Sequence, residues 1–284
     1  MKRQTSGSVV CPSCGRLVGV SDEKCWQCGR PRPGLWGFAG IFRNLGDDLG
    51  FTKLLLGVCG ALYLLMMLTD PSAIGGGGLF DFMSPSTSSV LRFGATGTFP
   101  VQQLGRWWTV LSATWLHGSI LHIGFNMMWA YQLVPPVARL YGPGRAIIIY
   151  VGSGAIGFVV TTFAGYVPLL SRLPFLQPAA LTLGASGAIL GLLGAMVYYG
   201  KRTGSSMVGR QALGYAVMLI LFGLVMVRVD NWAHLGGFGG GYLLARWLDP
   251  LKPERMDHTI AGLVLLGLSG LSIVYSALTG FGIL

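Results

Sequence analysis

The chain has 284 residues, 52% of them hydrophobic and only 11% charged, against about 25% charged in an ordinary soluble domain. So few charges cannot cover a soluble globule, and so much apolar bulk excludes a disordered chain. The formal net charge of +10 would suggest nucleic acid in a soluble protein, but here the basic residues fall between apolar runs, where they report membrane topology, and nucleic acid is not expected as a partner.

Residues 1–33 read as a small cysteine module. Cys11-Pro-Ser-Cys14 and Cys25-Trp-Gln-Cys28 are two C-x2-C knuckles, each followed by Gly and Arg. A knuckle turns tightly so that two thiolates converge on one ion, and Gly15 and Gly29 permit the turn. Four thiolates suit a closed tetrahedral zinc site, structural rather than catalytic. So small a module cannot fold by core burial, so the metal would supply its folding energy. The knuckles are similar to the zinc ribbons of many prokaryotic membrane proteins. A linker with Gly34, Gly37, Gly40 and Gly46 is expected over 34–53. Residues 1–50 hold no apolar stretch of the kind a secretory leader needs.

Seven apolar runs follow, at about 54–69, 108–131, 146–167, 180–200, 210–228, 231–248 and 259–283. Crossing a bilayer takes about 20 residues in a helix. The fold class is therefore an all-α polytopic membrane protein of seven transmembrane helices with a small N-terminal module. If the N-terminus is cytoplasmic and the spans alternate, all Lys and Arg except Arg92, Arg106, Arg172 and Arg228 fall on the cytoplasmic side. That bias predicts an N-in, C-out topology. The first external loop, about 70–107, mixes Gly75–Gly78 and three prolines with Leu79, Phe80, Phe82, Met83 and Phe93, as a loop lying partly in the membrane interface would. Cys59 reads as a packing residue of the first span.

Polar groups inside a span are costly and therefore functional candidates. The second run carries His117, His122 and Asn126. His122 and Asn126 are four apart, on one helix face, where two donors could converge on one oxygen. The fourth run carries Gly184-Ala-Ser186-Gly187. Ser186 is expected about six residues in from the external end, roughly 9 Å deep at 1.5 Å per residue. The sixth run carries His234 beside an Ala233/Gly237/Gly241 stripe, and two small-residue helices can pack with their backbones nearly touching. That contact would bring His234 to Ser186, a nucleophile with its general base, with His122 and Asn126 as oxyanion donors. No acidic residue is placed to orient the histidine, so the arrangement reads as a dyad.

At these residues the sequence resembles the rhomboid family of intramembrane serine proteases, over about residues 50–250. The resemblance implies a six-helix protease core over 54–250, with residues 251–284 as one additional C-terminal helix. It implies Ser186 as nucleophile and His234 as base and later acid, with His122, Asn126 and the Ser186 N–H holding the oxyanion. His117, Gly184 and Gly187 would support the site. The family often has a Trp-Arg pair just before the second span. This chain has Arg106-Trp107-Trp108-Thr109, which removes the usual source of that loop's anchoring hydrogen bonds and leaves the chemistry untouched.

The function so implied is endopeptidase cleavage, with no cofactor for catalysis, of membrane proteins whose transmembrane segments are easily unwound. Substrates would enter laterally past the fifth span. The competing reading is a catalytically silent scaffold that binds transmembrane clients. The expected location is the lipid bilayer of a bacterial inner membrane, with the zinc module free to meet a cytoplasmic partner.

Overall fold

The computed structural model describes residues 3–11, 14–37, 47–71, 82–173, 176–226 and 229–284. Gly40, Gly46, Gly75–Gly78, Leu79 and Phe80, used above for the linker and the first loop, lie outside the described residues. Seven long helices carry the fold: α1 Phe51–Thr69, α2 Ile120–Tyr141, α3 Pro143–Ala164, α4 Ser186–Thr203, α5 Ser206–Val225, α6 Asn231–Leu248 and α7 Met256–Gly280. Four of them, α1, α3, α5 and α7, are long and apolar enough to cross a membrane by length and composition. The other three carry His122, Ser186 and His234 and most of the helix-packing glycines.

Local chemistry sets where several helices begin. At α1, the Asp48 carboxylate accepts from the backbone of Gly50 and Thr52 at 3.0 and 2.9 Å. Ser119 caps α2 by accepting from His122 N at 3.2 Å, and Asp230 caps α6 by accepting from Ala233 N at 3.0 Å. Pro143 opens α3, where a missing N–H costs nothing, and Glu254, reaching back from the α6–α7 turn, accepts from Arg145 N at 2.9 Å. Burial pushes the Glu254 carboxyl above its ordinary range, and the Arg145 backbone bond opposes that.

Two boundaries differ from the sequence expectation in ways that matter. The second helix begins at Ile120 and runs through Pro135 and Pro136 to Tyr141, instead of spanning 108–131. Its apolar face continues past the prolines as Val134, Val137, Ala138 and Tyr141, all buried, and that stripe outweighs the helix-breaking ring. Residues 109–115 form two short turns before it. The fourth helix begins at Ser186 itself, so the serine is the first helical residue and not a group six residues down a span. The polar turn before it bonds Gly184 N to Ala113 O at 2.9 Å and Thr182 to Thr96 in both directions. α1 also starts inside the expected linker, at Phe51.

α4 is the central strut, buried almost continuously from Gly187 to Ala195 and packed most closely on α6 and α5, with α3 and α2 also against it. Lipid tails are as apolar as leucine, so helices in a bilayer associate through close packing rather than through the hydrophobic effect. Here the packing is backbone on backbone. A Cβ on Gly237 would lie 2.2 Å from Gly187 O, and one on Gly241 would lie 2.0 Å from Gly191 O. α5 and α7 sit at the periphery, α5 burying only Ala212, Ala216 and Gly223.

The N-terminal module is a two-stranded antiparallel hairpin, β1 Ser8–Val10 with β2 Leu17–Gly19, packed around Val9, Val18, Val20 and Leu35. It rests on the start of α7, where Met256 packs on its core and Arg30 reaches Met256 Sδ at 3.3 Å.

Gly237→Val should separate α4 from α6, costing about 1–3 kcal/mol or more. Melting in detergent should show this as a lowered Tm. Gly239→Val, whose added Cβ meets nothing within 4 Å, should melt near the unaltered protein.

Candidate active site

Because the chain reverses between successive helices, α2, α4 and α6 all start at one end of the bundle. Each carries its polar group in its first turn: His122 is the third residue of α2, Ser186 the first of α4 and His234 the fourth of α6. Helix N-termini leave unpaired N–H groups and a partial positive charge. Three of them gather around one point, a setting that favours a developing oxyanion.

Ser186 Oγ and His234 Nε2 are 2.8 Å apart, a direct hydrogen bond. His234 is buried and Ser186 half-buried. The α4–α6 glycine contact sets that distance, since Gly187 lies against Ala233 O, the carbonyl just before His234. The nearest acid in sequence, Asp230, caps α6 by accepting from Ala233 N through Oδ1, and no hydrogen bond joins it to His234 Nδ1. The pair is a dyad.

His122 faces the chain just before the serine. A Cβ at Gly184 would stand 2.6 Å from His122 Nε2, and Gly184 has φ +126°, so only glycine serves at that position. Gly118 N donates to His122 Nδ1 at 3.2 Å. A ring nitrogen that accepts carries no proton, so His122 is a neutral imidazole with its proton on Nε2. It therefore presents a donor toward the Gly184–Ser186 turn, as oxyanion stabilisation needs. Asn126 is buried one turn further along α2, with Nδ2 bonded to His122 O at 2.8 Å; its second amide proton is left for another acceptor.

His117 precedes α2 and lies outside any helix, where the sequence reading had placed it within a span. It is fully buried, with its ring 5.1 Å from that of His122 in an edge-to-face contact. It supports the His122 ring from behind.

Arg106 is the group sequence reasoning undervalued. The loop before α2 is anchored, from a different residue than expected: Arg106 donates to Leu91 O at 3.0 Å, Ser276 O at 3.2 Å and Thr279 Oγ1 at 2.9 Å. Trp108 Nε1 donates to Ser276 Oγ at 2.9 Å, its ring packs on Tyr275 and its carbonyl accepts from Ser272 at 2.7 Å. The sequence signal was present in α7 as Ser272, Ser276 and Thr279, a polar stripe in an otherwise apolar helix.

The four cysteines form a second centre. Their sulfurs all lie within 4.8 Å of one another, with Cys11–Cys28 at 3.8 Å and Cys14–Cys25 at 3.6 Å. A tetrahedral ion with bonds of about 2.3 Å to sulfur requires sulfur–sulfur spacings of about 3.8 Å, so the donors fit a metal. The knuckles repeat each other: Gly15 N bonds Cys11 O and Gly29 N bonds Cys25 O, both at 2.9 Å, with φ near +70° at each glycine. The backbone N–H of Cys28 draws the Cys25 thiol down to about 7 while burial pushes the neighbouring Cys28 thiol up to about 12, so a bound cation would be needed to hold all four as thiolates.

Arg106→Ala should free the loop from α7. Hydrogen exchange over residues 95–108 should quicken at least several-fold, while the first turns of α4 and α6 stay protected.

A family model described as the rhomboid domain matches residues 104–249. The chain is 30% identical over 199 residues to the rhomboid protease GluP of Bacillus subtilis, covering 69% of this chain and 36% of that relative. It is 32% identical over 174 residues to RHOMBOID-like protein 5 of Arabidopsis thaliana, covering 57% of this chain and 50% of the relative. The match thus spans half or less of the length of these two relatives.

Proposed function

The chain belongs to the rhomboid family, and we propose that it is an intramembrane serine endopeptidase acting through Ser186 and His234. The observation that carries this reading is the 2.8 Å contact between Ser186 Oγ and His234 Nε2 at the converging starts of α4 and α6.

Ser186 Oγ attacks the scissile carbonyl carbon while His234 Nε2 takes its proton. The carbonyl oxygen becomes an oxyanion and meets His122 Nε2–H, Asn126 Nδ2–H and the Ser186 N–H. His234 then gives its proton to the departing amine, the C–N bond breaks, and an ester remains on Ser186. Water, deprotonated by His234, cleaves the ester and returns the hydroxyl. Gly184 and Gly187 keep the turn and the helix contact tight enough for these distances, and His117 holds the His122 ring. No cofactor takes part.

The substrate is a transmembrane segment of another membrane protein. A helical amide has its carbonyl bonded and its flanks shielded, so segments with helix-weakening residues and a small residue at the cut are favoured. Entry is lateral, past α5, whose outward face (Leu213, Val217, Leu221) is exposed and which meets α2 through Trp129 and Tyr215, rings 5.3 Å apart.

All seven long helices span, α2, α4 and α6 being polar enough to do so only inside the ring of their neighbours. Lys201, Arg202, Arg246, Lys252 and Arg255 cluster at the end opposite Ser186. By the positive-inside rule that end is cytoplasmic, so the N-terminus is inside, the C-terminus outside and the dyad opens toward the external face of a bacterial inner membrane. The module at 1–33 holds structural zinc through Cys11, Cys14, Cys25 and Cys28, residues 34–50 link it to a core that starts with α1 at Phe51 and ends near 250, and 251–284 add the seventh helix.

A fluorophosphonate probe should label the detergent-solubilised protein and should fail on Ser186→Ala and His234→Ala, both of which should melt as the unaltered protein does. Labelling that survives Ser186→Ala would sink the assignment. Asn126→Ala should keep labelling but cleave transmembrane substrates slower by about one to three orders of magnitude. Cys11→Ser should lose zinc by elemental analysis and spare labelling.

A further inference from the structure

We infer that Asn231 is a positioning residue that fixes the proton of His234 on Nδ1 and so leaves Nε2 free to act as base; the inference rests on the Ser186–His234 reading above. A neutral imidazole has one proton. If Nε2 is to accept the serine proton, that proton must be on Nδ1, and a buried Nδ1–H requires an acceptor to hold it there. In serine hydrolases with a triad a carboxylate supplies that acceptor. Here Asp230 caps α6 through Oδ1 and makes no hydrogen bond to His234 Nδ1, so Asp230 does not supply the acceptor.

Asn231 occupies the right place. It is the first residue of α6, three before His234 and buried. Its Nδ2 donates to Gly223 O of α5 at 3.2 Å. A carbonyl oxygen can only accept, so this bond fixes which way the amide faces and turns Oδ1 to the other side. On that side lies His234 Nδ1. The position a Cβ on Gly223 would take is 2.6 Å from Asn231 Oδ1 and 3.3 Å from His234 Nδ1, so the two atoms share the small space above one glycine. They make no direct hydrogen bond with each other; a slight rotation of the amide or a single water would join them. The same fact explains the glycine: any side chain at 223 would fill the space between acceptor and base. Val229 closes the space from a further side, its Cγ1 2.9 Å from the same position.

The arrangement separates two roles of one amide. Nδ2 tethers α6 to α5; Oδ1 sets the tautomer. Asn231→Asp keeps an acceptor at Oδ1, and as a buried acid it can still donate from its other oxygen to Gly223 O. Asn231→Ala removes both. Gly223→Ala leaves the amide intact but wedges it away from the ring.

The test uses the full chain in detergent and three readouts: the rate of fluorophosphonate labelling at Ser186, kcat and KM for a transmembrane substrate, and the His234 ring tautomer from long-range 15N–1H correlation. Asn231→Ala and Gly223→Ala should each lower the labelling rate and kcat by about 10- to 100-fold with KM little changed, in line with a partial loss of general-base catalysis. In both, the His234 spectrum should move from the Nδ1–H toward the Nε2–H form. Asn231→Asp should recover to within about tenfold of the unaltered protein, again as a fraction of the general-base contribution. Labelling of Asn231→Ala at the unaltered rate would overturn the proposal, as would an Asp variant that falls as far as Ala with the tautomer unmoved. If the unaltered protein itself does not label, the protease reading fails first and separately.

Discussion

The contact on which the rest of the molecule depends is the one between bare backbones along α4 and α6. Gly187 and Gly191 on one helix meet Gly237 and Gly241 on the other with no side chain between them. In lipid there is no water to drive helices together, so approach at this range must come from the shape of the surfaces alone. The geometry leaves no slack: one methylene on either side would move the helices apart by more than the tolerance of a hydrogen bond. The 2.8 Å between serine and histidine is a reading, at the end of the two helices, of a distance set along their length.

That arrangement also explains how polar chemistry is kept in a bundle of this kind. α1, α3, α5 and α7 are long and apolar enough to span by composition, and among them stand three helices that do not meet that measure alone. The polar groups of the proposed site are held at helix starts, where N–H donors without an intrahelical partner are already present. His122 shows the economy of this placement: the backbone of Gly118 fixes its tautomer, and the turn at Gly184 receives its other nitrogen.

Much of this was legible in the residues and some was not. Ser186, His234 and the Ala233/Gly237/Gly241 stripe were readable because intramembrane polar groups and small-residue spacing are both rare signals with one physical meaning each. The cysteine knuckles were readable for the same reason, and the turn glycines adopt the positive φ that their spacing demanded. The starts of α2 and α4 were not readable from hydropathy, since the stretch before each is as apolar as a helix. Only the caps and the cross-bonds of Thr96, Ala113, Thr182 and Gly184 distinguish them, and these are pairings between distant parts of the chain. The far end of α2 lay beyond the expected run because its buried face resumes past Pro135 and Pro136, where packing decides. The role of Arg106 was hidden because two of its three partners lie some 170 residues away, in a helix whose serines look like ordinary small residues of a span.

Those partners give α7 a meaning that its position at the end of the chain does not suggest. It is the least enclosed of the long helices after α5, and a family core can be drawn without it. Yet Ser276 and Thr279 accept from the indole and guanidinium groups of the loop that precedes α2 and Ser272 donates to the carbonyl of Trp108, while its first residue, Met256, lies under the cysteine module. A chain ended before Met256 would therefore not be a smaller working version of this protein. It would leave Arg106 with one carbonyl acceptor in place of three groups, leave Trp108 without a partner for its N–H, and take away the surface on which the module sits. For this sequence, the seventh helix is part of the foundation of the first loop, and an ancestor or design lacking it would have to rebuild that loop.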